Sequence, residues 1–178
     1  MSPRLLLHEL IACEQRIRAW YRALGAKTDW PSEARFFWNC MAEDERQHLA
    51  MLQQSDRLVD LMASPPPLSE EVLAQVQAVM TVAEDALREN TLSVEQALSY
   101  TIAIEKAGVN ELAERWIEAF PESVGWLLRQ SGPEMEVHFR RLIDAIDALS
   151  SDHGLHQQAV ALWNASHVPP SELGAAST

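Results

Sequence analysis

The chain has 178 residues, 47% of them hydrophobic and 22% charged, a balance that suits one globular domain with its own core. A formal net charge of -12 would repel a nucleic-acid backbone or an anionic membrane, so neither is expected as a partner. No run of about 18 apolar residues occurs, His8 and Glu9 follow Leu5-Leu6-Leu7 too soon for a signal peptide, and Cys13 and Cys40 form no Cys-x-x-Cys pair, so a cytoplasmic protein with two buried, reduced thiols is expected.

Apolar residues recur at spacings of three and four, and β-branched runs bounded by turns are missing, which predicts an all-α fold. Ser2-Pro3 offers a cap and a first-turn proline for a helix striped by Leu6, Leu10, Cys13/Glu14, Ile17, Tyr21 and Leu24, which Gly25 ends. After Trp30-Pro31-Ser32 a second pattern runs from Glu33 to Met62 and stops before Pro65-Pro66-Pro67. Leu68-Ser69 starts a shorter amphipathic segment to about Asn90, with Leu73, Val76, Met80, Ala83 and Leu87 on one face, expected as an additional crossover helix. Ser93 and Gln96 resemble a capping box. They open a third long helix striped by Leu98, Ile102, Glu105, Val109, Leu112 and Trp116, which Pro121 closes. The fourth carries Met135, His138, Leu142, Ile146 and Leu149, and Gly132-Pro133 either starts it or kinks it. The expected domain is residues 1–165, followed by a short C-terminal helix or tail, with 166–178 small, polar and flexible.

Within this pattern, Phe37, Met41, Glu45, His48 and Leu52 fall on one stripe at ~100° per residue, so a carboxylate and an imidazole point where apolar side chains belong. Glu14 and Glu105 interrupt the stripes of the first and third long helices, and His138 that of the fourth. An isolated buried carboxylate costs several kcal/mol or becomes neutral, so glutamates meeting in one bundle need a shared counter-charge, which a pair of divalent or trivalent cations supplies. Glu45 and His48 lie three apart, about 60° around the helix, and can reach one ion or two neighbouring ones. Glu14 precedes His48 by 34 residues and Glu105 precedes His138 by 33, which reads as two similar helical hairpins. The hairpins are displaced by about 90 residues, and flanking pairs at that displacement match Phe37 with Leu127, Leu49 with Phe139, and Leu52 with Leu142.

A lone Glu on an apolar face usually snorkels, and a lone His is usually a hydrogen-bonded core residue. Joint occurrence in two hairpins is what favours metal. His153 and His156, in Ser151-Asp152-His153-Gly154-Leu155-His156, are expected on a surface turn, and His8 and His167 exposed. The six tryptophans, mostly on stripes or at helix ends, are explained by packing.

The arrangement resembles the ferritin-like di-iron carboxylate proteins, in which two helices give a Glu and two give Glu-x-x-His, and it is most similar to rubrerythrin-type members. The resemblance rests on Leu10-Ile11-Ala12-Cys13-Glu14 through Trp20-Tyr21, on Ala42 through His48, on Thr101-Ile102-Ala103-Ile104-Glu105-Lys106, and on the helix around His138. It implies a four-helix bundle of two hairpins, with Glu14, Glu45, His48, Glu105 and His138 as ligands of two iron ions, or of manganese. Two departures stand out. Met135 occupies the position three before His138, where the family has glutamate; Glu134 lies about 40° from His138 around the helix and Glu136 about 160°, so Glu134 is the expected substitute. The site is then intact, altered or reduced to one metal. No rubredoxin-like Cys-x-x-Cys module is present, so electrons must come from an external donor.

On this resemblance Glu45 and Glu134 bridge or flank the pair, Glu14 and Glu105 are terminal or shifting ligands, and His48 and His138 each cap one iron. Tyr21, about 20° from Glu14 and two turns along, either hydrogen-bonds toward the site as the family's tyrosine does or is a core aromatic with a wet hydroxyl. The implied activity is oxidoreductase, acting on oxygen or peroxide as a peroxidase or ferroxidase, and the implied assembly is a homodimer. The alternatives are a non-catalytic iron-binding or storage protein, and a ferritin-like scaffold with a degenerate site serving as an interaction module.

Overall fold

The computed structural model describes residues 2–62, 70–132 and 135–167, and among them every regular element is a helix. No helix among the described residues is long and apolar enough to cross a membrane. In chain order these are α1 (Pro3–Gly25), α2 (Ser32–Asp56), α3 (Glu70–Arg88), α4 (Val94–Lys106), α5 (Val109–Glu118), α6 (Glu122–Arg129), α7 (Met135–Leu149) and α8 (His153–His167).

Local signals account for several helix ends. Ser2 caps α1 by accepting from Leu5 N, with Pro3 in the first turn where its missing N–H costs nothing. Ser93 and Gln96 form the reciprocal capping box of α4. The second pattern ends sooner than its stripe suggests, because α2 stops at Asp56 and a short 3₁₀ turn, Val59–Leu61, follows. Here the Ser55 hydroxyl donates to Leu52 O at 2.7 Å and accepts from Trp116 Nε1 at 2.8 Å, while Leu58 N reaches back to Ser55 O at 2.9 Å. That tightening is the side-chain competition that ends α-helices in 3₁₀ geometry. Pro65 to Ser69 lie outside the described residues.

The third long helix is not continuous. It breaks at Gly108, whose φ of 95° lies in the left-handed region open chiefly to glycine, while Ala107 N still bonds Ala103 O and Ile104 O. Periodicity survives this break, since Leu112 and Trp116 of α5 remain buried. A further helix, α6, precedes α7, so the turn around Gly132 separates two helices. The C-terminal helix is longer than expected: α8 spans 15 residues and packs on α7 and α4. His153 and His156 therefore open a helix and do not sit in a turn; His153 is exposed, and His156 is half-buried with its Nδ1 2.6 Å from Asp147 Oδ1. His8 is exposed. Residues 168–178 and the His167 side chain lie outside the described set.

Side-chain contacts fix the helix directions. Arg4 near the start of α1 bonds Asp56 at the end of α2, so these two are antiparallel. Glu9 and Arg16 of α1 meet Gln77 and Glu84 of α3 in the same order, so α3 runs back alongside α1 as a crossover. Trp38 and Glu45 of α2 face Thr101 and Glu105 of α4, which makes α2 and α4 parallel. Glu95 bonds Ser150 while Glu105 faces His138, which makes α7 antiparallel to α4. The core runs between these helices and includes Trp20, Trp38 and Trp116, each buried, with indole N–H groups donating to Ala83 O, Thr101 Oγ1 and Ser55 Oγ. Trp126 is exposed, contrary to a packing role. Cys13 is buried and Cys40 half-buried, and neither is in a disulfide.

Candidate metal centre

Midway along the bundle, α1, α2, α4 and α7 turn five ionisable side chains inward: Glu14, Glu45, His48, Glu105 and His138, all at most 3% exposed. They fall into two triads, Glu14–Glu45–His48 and Glu45–Glu105–His138, in each of which one donor atom per residue lies within 4.8 Å of the others. Glu45 belongs to both. His48 Nδ1 stands 2.9 Å from Glu45 Oε2 and 3.7 Å from Glu14 Oε2, and His138 Nε2 is 3.3 Å from Glu105 Oε2. The two imidazole centroids are 6.3 Å apart.

Electrostatics without an ion are strained. Burial raises the Glu45 carboxyl well above the usual range, and the neighbouring Glu14 charge adds to it. Burial acts against charge on Glu14 and Glu105 too, but His48 and His138 beside them outweigh it and both are held low. Burial likewise opposes charge on the imidazoles, yet the glutamates win, lifting His138 to about 10 and His48 well above its ordinary value. Even so, both Glu14 oxygens and His138 Nε2 are buried with no hydrogen-bond partner. Buried orphans of this kind are rare and call for an explanation, and three of them converging on one centre fit a cation. Carboxylate and imidazole donors suit iron, manganese or zinc, and no thiolate competes, since burial and the Glu14 charge push the Cys13 thiol up to about 11.

Around these five lies a layer of partners, uneven between the triads. Tyr21, fully buried, donates its hydroxyl to Glu105 Oε1 at 2.6 Å, so of the two readings of its stripe position the inward hydrogen bond is the one found. Burial and the Glu105 charge hold that phenol protonated, its pKa well above the ordinary value. Asn110 Nδ2 donates to Glu105 Oε2 at 2.8 Å. Asp44 accepts from His138 Nδ1 at 3.1 Å and pairs with the half-buried Arg141.

No family model, curated protein or solved structure matches this chain. The centre therefore stands on its own geometry.

The structure brings Glu14, Tyr21, Glu45, His48, Glu105 and His138 to one place. Glu134 lies outside the described residues, while Met135 is half-buried at the start of α7 and Glu136 is exposed, paired with Arg140. The flank pairing of the two hairpins fails at one point: Phe37 is 4% exposed but Leu127, on α6, is 58% exposed. Leu49 and Phe139, and Leu52 and Leu142, are all buried. Asp44, Asn110 and Arg141 were not predicted. Asp44 sits at the edge of the stripe, about 20° from Phe37, but in an acidic run that reads as solvated surface. On a continuous helix Asn110 would point about 140° from Glu105, and only the break at Gly108 returns it.

Proposed function

We propose that this chain is a ferritin-like protein that binds two metal ions, iron by the character of its donors and manganese as the alternative, and that it reduces oxygen or peroxide with electrons from an external donor. The observation that carries the reading is the pair of buried Glu/Glu/His triads sharing Glu45. The helix directions support it: two antiparallel pairs with a crossover between α2 and α4 are the layout expected of that family.

When bound, a pair of iron ions would supply the electron-transfer and Lewis-acid chemistry that side chains lack. The protein's part is holding and shielding. Glu45 lies where it serves both positions, Glu14 and Glu105 flank it, and His48 and His138 close the two ends. Tyr21 keeps its proton at its hydroxyl and donates it in a hydrogen bond to Glu105 Oε1 at 2.6 Å, which holds that carboxylate at a fixed angle. The near-total burial of all five donors excludes bulk water.

Anaerobic loading with Fe(II), followed by elemental analysis, tests the reading. Two ions per chain are expected, and less than one would overturn it. Ions that bind only the folded state at a hundred times their dissociation constant contribute about 2.7 kcal/mol. The melting temperature should then rise by roughly 5–10 °C. Peroxide consumption by the loaded protein, given a chemical reductant, separates an oxidoreductase from a protein that only holds iron.

A further inference from the structure

The two triads have the same donors, two glutamates and a histidine each, yet they are prepared differently for an ion. In Glu45–Glu105–His138 the imidazole nitrogen that faces the centre, His138 Nε2, makes no hydrogen bond, while Nδ1 is committed to Asp44. That outer bond fixes the ring with Nε2 facing inward, 3.3 Å from Glu105 Oε2 but in no hydrogen bond, so an ion arriving there has only the Nε2 proton to displace. Asp44 is itself anchored by Arg141. Glu105 is gripped on both oxygens, by Tyr21 at 2.6 Å and by Asn110 at 2.8 Å, and each oxygen keeps a second lone pair for a ligand.

The other triad lacks this preparation. His48 Nδ1, the nitrogen facing the centre, is already spent in a 2.9 Å hydrogen bond to Glu45 Oε2. An ion seated there must break that bond. Glu14 has no hydrogen bond on either oxygen, so nothing fixes its angle. A bare buried carboxylate is also a pull on a cation, which argues for the opposite order. That pull is partly answered already by His48 Nδ1, 3.7 Å away, so an ion there would replace one partner with another.

Building on the two-ion reading above, we propose that the centre fills in order, the Glu45–Glu105–His138 corner first and the Glu14–Glu45–His48 corner second, with Asn110 and Asp44 as positioning residues that set the order. The first ion draws Glu45 toward itself, which weakens the His48–Glu45 bond and frees Nδ1 for the second. Asn110 owes its place to the break at Gly108, so a local helix defect becomes part of ion binding.

Titration of the metal-free full chain with Mn(II) alone, followed by calorimetry and by electron paramagnetic resonance, tests this. Two resolved steps are expected. The first equivalent should give the signal of an isolated Mn(II), and the spin-coupled signal should grow only with the second. Asn110→Ala and Tyr21→Phe, which remove one grip each, should raise the first-step dissociation constant by about 10–100-fold, the usual effect of losing such a partner. Glu14→Gln should leave the first step in place and remove the second. The melting temperature of each metal-free variant shows whether it remains folded, and Tyr21→Phe, which keeps the ring, serves where Asn110→Ala does not fold. Two ions taken up in a single step, or Glu14→Gln weakening the first step as much as Tyr21→Phe does, would overturn the order while leaving the two-ion reading intact. Binding of no ion at all would overturn both.

Discussion

The first half of the chain presents its donors from the middle of two unbroken helices, the second half from the edges of interrupted ones. Glu14 and the Glu45/His48 pair sit deep inside α1 and α2, whereas Glu105 is the penultimate residue of α4 and His138 lies in the first turn of α7. Both halves nevertheless deliver a carboxylate and an imidazole to the same buried centre. The difference teaches that helix continuity is not what a metal site needs. What it needs is the angle of the donor and something to hold that angle, and the end of a helix can offer more holders than its middle. Asn110 and Tyr21 hold Glu105, whereas Glu14 has no hydrogen-bond partner.

The largest effect that would break this comparison is at the residue both halves share. Glu45→Ala removes the one carboxylate common to the two triads, so neither corner should retain an ion. Elemental analysis after loading reads this directly. Retained binding of two ions would mean that the halves work independently and that Glu45 is only a buried acid.

A second test addresses the apparent repeat. Phe37 and Leu127 occupy equivalent positions by spacing, but one is in the core and the other on the surface. Phe37→Ala should therefore destabilise by about 3–5 kcal/mol, the usual range for emptying a buried aromatic site. Leu127→Ala, at an exposed position, should stay within about 0.5 kcal/mol. Denaturant unfolding compares them, and equal losses would show that α6 is covered by a partner or packed otherwise.

These contrasts also show what was legible beforehand. Stripe position alone placed Glu14, Glu45, His48, Glu105 and His138, because a polar group on an apolar face is conspicuous and burial is the property that periodicity reports. It also gave the all-helical class and the crossover segment now seen as α3. Periodicity could not show the interruption after Lys106, since Leu112 and Trp116 of α5 are still buried. Nor could it show that Asp44, at the edge of the stripe on its own helix, meets His138 on another. Outer contacts of this kind depend on which helices touch and at what height, and that information is tertiary.

The smallest effect concerns the break itself, and its sign is the informative part. Were α4 and α5 one continuous helix, Gly108→Ala would remove a flexible residue from a helix interior and stabilise the protein by up to about 1 kcal/mol. With φ at 95°, the same substitution forces an L side chain into the left-handed region, at a cost of roughly 1–2 kcal/mol. A methyl there would also come within 3.2 Å of Val72 Cγ1 on α3, close enough that Val72 must give way. The melting temperature should thus fall by roughly 3–6 °C, a small but measurable drop for a chain of this size. Ion binding should follow it, because Asn110, two residues on, loses the backbone angle that aims Nδ2 at Glu105 Oε2. A rise in melting temperature, with the first Mn(II) step unchanged, would make the second half as continuous as the first and would leave Asn110 facing away from the centre.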